Sequence, residues 1–142
     1  TNTAATTITR LLDLGVESYL LRSSLLAVLA QRLVKVNCPH CREPETGETH
    51  MREALSVAEQ ERFQRGRGCP ECGGHGIKGR RAVYELLEVT PEIRRLIVPG
   101  AEADRIHEAA LAGGMRSITQ SALDLARTGE ITLAEAYRVR TD

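Results

Sequence analysis

Two short stretches decide how the middle of this chain folds: Cys38-Pro39-His40-Cys41 and Cys69-Pro70-Glu71-Cys72. Each stretch contains two cysteines separated by two residues, so one tight turn can present two thiolates to the same ion. Zinc prefers four such soft ligands in a tetrahedron, at a Zn–S distance of about 2.3 Å. All four cysteines of the 142-residue chain belong to these two pairs. The spacing therefore predicts one structural zinc site, with no ligand position left for a catalytic water, formed by Cys38, Cys41, Cys69 and Cys72.

Two other uses of paired cysteines have to be weighed against zinc. Disulfides require an oxidising compartment, and no export signal is visible at the start of the sequence. Thioredoxin-like redox chemistry needs only one CxxC pair, placed at the start of a helix after a strand. His40 lies inside the first pair and could replace a thiolate, but four cysteines already complete the ligand set. Zinc is therefore the preferred interpretation, and its binding would supply folding free energy to the polar segment between the pairs.

Charge and missing motifs narrow the functional classes. Lys plus Arg and Asp plus Glu are 19 each, so the formal net charge is zero, whereas nucleic-acid-binding proteins normally carry a basic excess. Only Lys78-Gly79-Arg80-Arg81 supports a zinc-ribbon nucleic-acid binder, and we expect no nucleic-acid partner. No apolar run reaches the about 20 residues of a membrane-spanning helix. The sequence has no GxxxxGKS/T phosphate-binding loop and no HExxH or GxSxG motif, so this chain is not predicted to be a self-sufficient enzyme.

Periodicity and capping signals predict a mostly helical chain with two strands. Apolar spacing predicts four helices, over residues 6–14, 18–31, 102–111 and 117–127. Thr90-Pro91-Glu92 and the capping box Thr132–Glu135 each predict the start of a further helix. A second capping box, Ser56–Glu59, predicts a short helix to about residue 65, after a loop over residues 42–55. Strands are predicted over residues 31–36 and, with many strand-forming residues, over residues 81–89.

Six motifs in order resemble the bacterial secretion ATPase family, which drives type II secretion and type IV pilus assembly. They are residues 23–34, 38–41, 68–72, 79–87, 114–117 and 129–136. The resemblance covers nearly the whole chain. It implies an α/β fold, mostly helical in this part: the end of a RecA-like ATPase core with an inserted four-Cys zinc module and a C-terminal helical bundle. Residues 1–36 would end the ATPase core, residues 37–79 would form the zinc module, and residues 80–142 would hold a strand and the C-terminal helical subdomain.

The resemblance also implies an activity for the full-length protein. Members of the family are homo-hexamers that bind ATP and Mg²⁺ at the cytoplasmic face of the inner membrane. Their partners are inner-membrane platform and cytoplasmic-domain proteins of the secretion or pilus machine. The main ATP-binding motifs would lie outside this chain, so the chain alone is expected to be inactive.

One functional residue can be carried over from the family to this sequence. Its Gly-Arg-x-x-x-Tyr-Glu-Leu-Leu context contains an arginine that contacts the nucleotide or a neighbouring subunit, which here is Arg80 or the adjacent Arg81. An ordinary surface arginine at the start of a strand stays the alternative. A type II secretion ATPase is the first hypothesis for the protein. A type IV pilus assembly ATPase and a stand-alone zinc-dependent interaction module are the alternatives.

Overall fold

The computed structural model describes residues 3–141, which contain seven α-helices and four β-strands. The helices are α1 (Ala4–Asp13), α2 (Ser18–Ser24), α3 (Thr49–Ala54), α4 (Pro91–Leu96), α5 (Ala103–Ala112), α6 (Ile118–Arg127) and α7 (Leu133–Val139). The strands are β1 (Ala27–Asn37), β2 (Arg42–Glu45), β3 (Phe63–Gly66) and β4 (Ile77–Glu88). The fold is therefore mixed and more helical than stranded, as predicted. Residues 1, 2 and 142, in the predicted first and last segments, lie outside the described residues.

The strands form two small sheets. In one, β2 and β3 pair in antiparallel orientation. In the other, β1 pairs with β4. The Val89 N–H donates to the Leu26 carbonyl at 2.9 Å just outside one end of this pair, and the Cys38 N–H donates to the Gly76 carbonyl at 2.9 Å outside the other. The two long strands therefore run in opposite directions.

The chain divides into two compact units. One comprises the chain up to Ala30 together with Tyr84–Ser117, and the other comprises Gln31–Val83 and Ile118–Arg140. In the first unit, α5 packs against α1 and α4 around a core that includes Ile8, Leu87, Ile93, Ile97 and Ile106. In the second unit, α7 packs against α3 and α6, and β3 lies against α6. The predicted segments 1–36, 37–79 and 80–142 concern the architecture of the whole protein and stay a prediction.

The predicted helix over residues 18–31 is wrong in its second half. Helix α2 ends at Ser24, and the backbone is extended from Leu25 onward. In β1, Leu29 and Leu33 are exposed whereas Val34 is fully buried, so burial alternates along the chain as a strand requires. Leucine and alanine favour helices, but pairing with β4 overrides this local preference.

The predicted loop over residues 42–55 and the predicted helix over residues 56–65 are also wrong. Strand β2 and helix α3 occupy the first stretch, and β3 begins inside the second. Ser56 has a φ of 54°, whereas an N-cap residue needs extended backbone. The Ala58 N–H is instead bound by the Glu61 carboxylate at 2.9 Å, which forms a turn, and Phe63 then becomes buried at the start of β3.

The other predicted elements are confirmed with small shifts at their ends. Thr90 and Thr132 cap the N-termini of α4 and α7, since their hydroxyls accept the N–H of Ile93 at 3.3 Å and of Glu135 at 2.9 Å. Strand β4 starts at Ile77, four residues earlier than predicted. No helix within residues 3–141 combines the length and the apolar character needed to cross a membrane.

Candidate metal centre

The structure brings the four predicted cysteine ligands together. Their sulfurs all lie within 4.8 Å of one another. The Sγ–Sγ separation is 3.8 Å for Cys38 and Cys69, 3.9 Å for Cys41 and Cys72, and 3.8 Å for Cys69 and Cys72. Sulfurs placed tetrahedrally at about 2.3 Å from a central ion lie about 3.8 Å apart. The cluster therefore has the size of a tetrathiolate site and can hold a metal ion such as zinc.

The same distances separate this cluster from a set of disulfides. A disulfide joins sulfurs at about 2.05 Å, whereas all four cysteines here are free. Cys38, Cys41 and Cys72 are buried, and Cys69 is partly exposed. His40 is exposed and is not a member of the group of candidate ligands. The donor set is therefore four sulfurs, which suits a soft or borderline divalent ion.

The four cysteines lie in the two connections that join β1 to β2 and β3 to β4. Cys38 directly follows β1, and Cys41 directly precedes β2. The second pair lies around a 3-10 turn, Pro70–Cys72, between β3 and β4. Pairing of β2 with β3 places Arg42 opposite Gly66, which brings the chain beside the first pair close to the chain that leads into the second. Both sheets therefore help to bring the two pairs together.

Backbone amides point at the sulfurs. The Gly68 N–H donates to Cys41 at 3.3 Å, while the N–H groups of Cys69 and Gly76 donate to Cys72 at 3.2 and 3.1 Å. Burial raises the pKa of the Cys41 thiol to about 11. Burial opposes ionisation of Cys72 as well, but its two amide donors prevail and lower its pKa to about 6. Such amide donors offset the negative charge that several thiolates bring to one ion.

Two glycines permit a close backbone crossing beside the sulfurs. A Cβ on Gly66 would lie 1.8 Å from the Gly76 carbonyl oxygen, and a Cβ on Gly76 would lie 2.2 Å from that of Gly66. Neither position can accept a side chain while the backbones keep this approach. The sequence analysis did not identify this pair. Its signal was the density of glycines around the second CxxC, at Gly66, Gly68, Gly73, Gly74 and Gly76.

Asn37, the residue before the first ligand, is a second feature that the sequence analysis missed. It is 1% exposed, and its side-chain amide donates to the carbonyls of Gln64 at 3.0 Å and Gly129 at 2.9 Å. Its own N–H donates to the Glu130 carbonyl at 2.8 Å. Asn37 thus ties the start of the first pair to β3 and to the connection between α6 and α7. A polar amide placed between the predicted strand over residues 31–36 and the first cysteine was the available signal.

The two candidate arginines have different surroundings. Arg81 forms an ion pair with Glu130. Arg80 has no ion-pair partner among the residues that the structure describes, and it lines an open groove of about 350 Å³. The groove, which we call the Lys35–Arg80 groove, is lined by Lys35, His75, Ile77, Gly79 and Arg80. The structure therefore distinguishes the two arginines, which the sequence pattern alone did not.

Comparison with known proteins relates the chain, over nearly its whole length, to a family. A family model described as "Type II/IV secretion system protein" matches residues 1–138. The chain is 42% identical over 142 residues to the type II secretion system protein HxcR of Pseudomonas aeruginosa, covering 100% of this chain and 27% of that protein. It is 45% identical over 140 residues to the type IV pilus assembly ATPase PilB of Thermus thermophilus, covering 95% and 16%. It is 39% identical over 141 residues to the type II secretion system ATPase E of Vibrio cholerae, covering 98% and 28%. The chain thus spans less than a third of each of these relatives.

Proposed function

Because the chain belongs to the Type II/IV secretion system protein family, we propose that it is the C-terminal, zinc-containing part of a hexameric ATPase that powers type II protein secretion. The observation that carries this proposal is the family match over residues 1–138. HxcR of Pseudomonas aeruginosa and ATPase E of Vibrio cholerae, both named as type II secretion proteins, align with at least 98% of this chain. A type IV pilus assembly ATPase is the second candidate, supported by the 45% identity to PilB.

The hydrolytic machinery is proposed to lie mainly in other parts of the whole protein. The sequence contains no phosphate-binding loop, and the relatives are several times longer than this chain. Residues 1–36 would complete a RecA-like core, residues 37–79 would form the zinc module, and residues 80–142 would form the C-terminal subdomain. ATP and Mg²⁺ would be bound chiefly by the rest of the protein, so the isolated chain would not hydrolyse ATP.

The role proposed for the tetracysteine cluster is structural. All four ligands come from the chain, which leaves no open coordination position for substrate or water. A bound zinc ion would hold the two cysteine turns together and add its binding free energy to folding. The amides of Gly68, Cys69 and Gly76 already aim at the sulfurs and would stabilise them as thiolates. One zinc per chain by elemental analysis is expected, and metal-free protein with intact fold would contradict the assignment.

Arg80 is the residue we propose as the contact to nucleotide or to a neighbouring subunit. Its guanidinium is exposed and carries a planar set of donors that can bind phosphate or carboxylate in bidentate geometry. Arg81 is less available because its guanidinium is already bound to Glu130 within the same chain. An arginine supplied to a phosphoryl-transfer site stabilises the charge that develops in the transition state. Arg80 would act in this way at an interface between two copies in the hexamer.

The partners and the location follow from the same proposal. A secretion ATPase of this kind would assemble as a homo-hexamer at the cytoplasmic face of the inner membrane. It would contact inner-membrane platform and cytoplasmic-domain proteins and would not bind nucleic acid, in keeping with a net charge of zero. A stand-alone zinc-dependent interaction module is the remaining alternative. A phosphate-binding loop in the same reading frame would decide between this module and the motor.

The decisive experiment compares two neighbouring arginines in the full-length protein. Arg80→Gln should lower the ATPase kcat by about 10³-fold, the lower end of the effect of a transition-state arginine. Arg81→Gln removes the same charge one residue away and should change kcat only about threefold or less, because it loses an exposed ion pair. Phosphate release by the purified proteins measures both. Equal effects of the two substitutions, or unchanged hydrolysis in Arg80→Gln, would reject the role of Arg80.

A further inference from the structure

We propose that Lys35, His75 and Arg80 together form a phosphate-binding site in the Lys35–Arg80 groove, beside the tetracysteine cluster. Arg80 provides one cationic contact to the phosphates and Lys35 provides the second. This inference rests on the proposed function, since it extends the role of Arg80 to the residues around it. The proposed ligand is the polyphosphate part of a nucleotide.

The position of the groove in the fold supports this assignment. Lys35 lies on β1, Arg80 lies on the paired strand β4, and His75 lies in the turn that follows the second cysteine pair. These side chains reach one groove of about 350 Å³ from three different segments of the chain. Phosphate groups are bound by such convergent N–H donors, since each phosphate offers several acceptor oxygens.

The charge of the lining is the second observation. Two of the five lining residues are cationic and one is a histidine, and no carboxylate occurs among the lining residues that the structure describes. Glu135 is hydrogen-bonded to the backbone of Lys35 but already has other partners. Its carboxylate accepts the Lys35 backbone N–H at 2.8 Å and binds the Arg138 guanidinium at 2.8 Å. Although burial opposes ionisation of Glu135, the charge of Lys35 also helps to lower its pKa, after the larger effects of Arg138 and the Lys35 amide, so the ammonium is attracted to this carboxylate. Among the residues that the structure describes, however, neither Lys35 nor Arg80 forms an ion pair, and both can contact an anionic ligand.

The apolar part of the lining limits what else could bind. Among the described residues that line the groove, Ile77 is the one large apolar residue, and it is 40% exposed. Sites for drug-sized or aromatic ligands are lined mainly by apolar and aromatic side chains. The groove therefore suits the phosphate chain of a nucleotide better than an apolar ligand.

Tripolyphosphate is the probe that tests the groove directly. The zinc-loaded 142-residue chain is titrated with sodium tripolyphosphate, and amide chemical shifts are followed by NMR. Shifts should concentrate on Lys35, His75 and residues 77–80. Lys35→Gln and Arg80→Gln should each raise the dissociation constant about tenfold, as expected for loss of one charge-assisted contact.

Lys78→Gln is the matched control. Lys78 is an exposed lysine on the same strand as Arg80, but it does not line the groove. Its replacement removes the same charge as Lys35→Gln and should change the dissociation constant about twofold or less. If Lys78→Gln weakened binding as much as Lys35→Gln, the attraction would be diffuse and the groove would be refuted.

A second arm distinguishes a soluble polyphosphate from a lipid headgroup. Co-sedimentation with phosphatidylglycerol vesicles should not depend on Lys35. Vesicle binding that Lys35→Gln abolishes, without tripolyphosphate binding, would overturn the proposal in favour of a membrane contact. Failure of the proposed function would instead appear as unchanged ATP hydrolysis in full-length Arg80→Gln, so the two failures can be told apart.

Discussion

Replacing Gly76 by alanine should open the tetracysteine cluster without changing any sulfur ligand. The new Cβ would lie 2.2 Å from the Gly66 carbonyl oxygen, whereas non-bonded heavy atoms settle at about 3.5 Å. The two backbones would have to separate by about 1 Å. This backbone carries the N–H that donates to the Cys72 sulfur and the carbonyl that accepts the Cys38 N–H. Separation at Gly76 therefore pulls the two cysteine pairs apart.

Gly100→Ala provides a matched control for the backbone conformation. Gly76 and Gly100 have nearly identical positive φ angles, 75° and 76°, but a Cβ at Gly100 would meet nothing within 4 Å. Both substitutions thus carry the cost of a left-handed alanine, roughly 1–2 kcal/mol. Only Gly76→Ala adds the collision, about 3 kcal/mol at the upper end of overpacking costs. Zinc affinity of Gly76→Ala should therefore fall about 100-fold below that of Gly100→Ala.

Competition with a chromophoric chelator measures the zinc dissociation constants of the two variants and of the parent chain. Elemental analysis of the purified proteins gives the metal content per chain. Circular dichroism checks that the helices persist, so that loss of metal is not confused with global unfolding. Equal zinc affinity of Gly76→Ala and Gly100→Ala would show that the crossing does not control the cluster, and the reasoning would be refuted.

Further predictions concern the supports of the cluster and its metal. Asn37→Ala should lower the free energy of unfolding by about 2–4 kcal/mol, because it removes one buried and one partly buried hydrogen bond and leaves their carbonyl acceptors without these donors. A change below about 1 kcal/mol in urea unfolding would contradict this. Glu135→Gln should cost about 1 kcal/mol at neutral pH. Although burial opposes ionisation of Glu135, Arg138 and the Lys35 amide lower its pKa below the usual 4.5. The ionised Glu135 therefore stabilises the fold fully above pH 4.5, and the stability difference between the parent and Glu135→Gln should disappear as the pH falls through the lowered pKa. A stability difference that does not change with pH would contradict this prediction. Cys72→Ser should abolish tight zinc binding. It should also make residues 38–76 as sensitive to protease as they become in the parent chain after treatment with a chelator. Equal protease resistance of the parent with and without metal would argue against a structural ion.

The grouping of the four cysteines could be proposed from sequence because each CxxC is a local feature. Two sulfurs on one tight turn need no knowledge of the fold, and only the meeting of the two turns depends on tertiary structure. The amide donors illustrate the limit of this reasoning. Gly76 reaches Cys72 within one turn, but Gly68 reaches Cys41 across 27 positions of sequence. Such a contact exists only once the two pairs have been brought together.

The wrong secondary-structure predictions have a related cause. Residues 27–31 contain leucine and alanine at spacings that fit a helix, and the information that makes them a strand lies in β4, far away in sequence. The Ser56–Glu59 pattern failed for a different reason. A capping box predicts a helix only when apolar spacing continues behind it, and here the next large apolar residue, Phe63, is buried in a strand instead.

The tetracysteine cluster and the Lys35–Arg80 groove depend on the same strand ends. Cys38 follows β1 three residues after Lys35, and its N–H binds the Gly76 carbonyl immediately before β4 leads to Arg80. Anything that releases the cysteines therefore also frees the ends of the two strands that set the spacing of the two cations. Preorganisation of charged donors is what makes an anion site effective, because no reorganisation is then needed on binding. Chelation of the metal should accordingly weaken tripolyphosphate binding in the parent chain, whereas it should have little further effect in Lys35→Gln, where the second contact is already lost. Equal loss in both proteins would mean that the ion and the groove act independently.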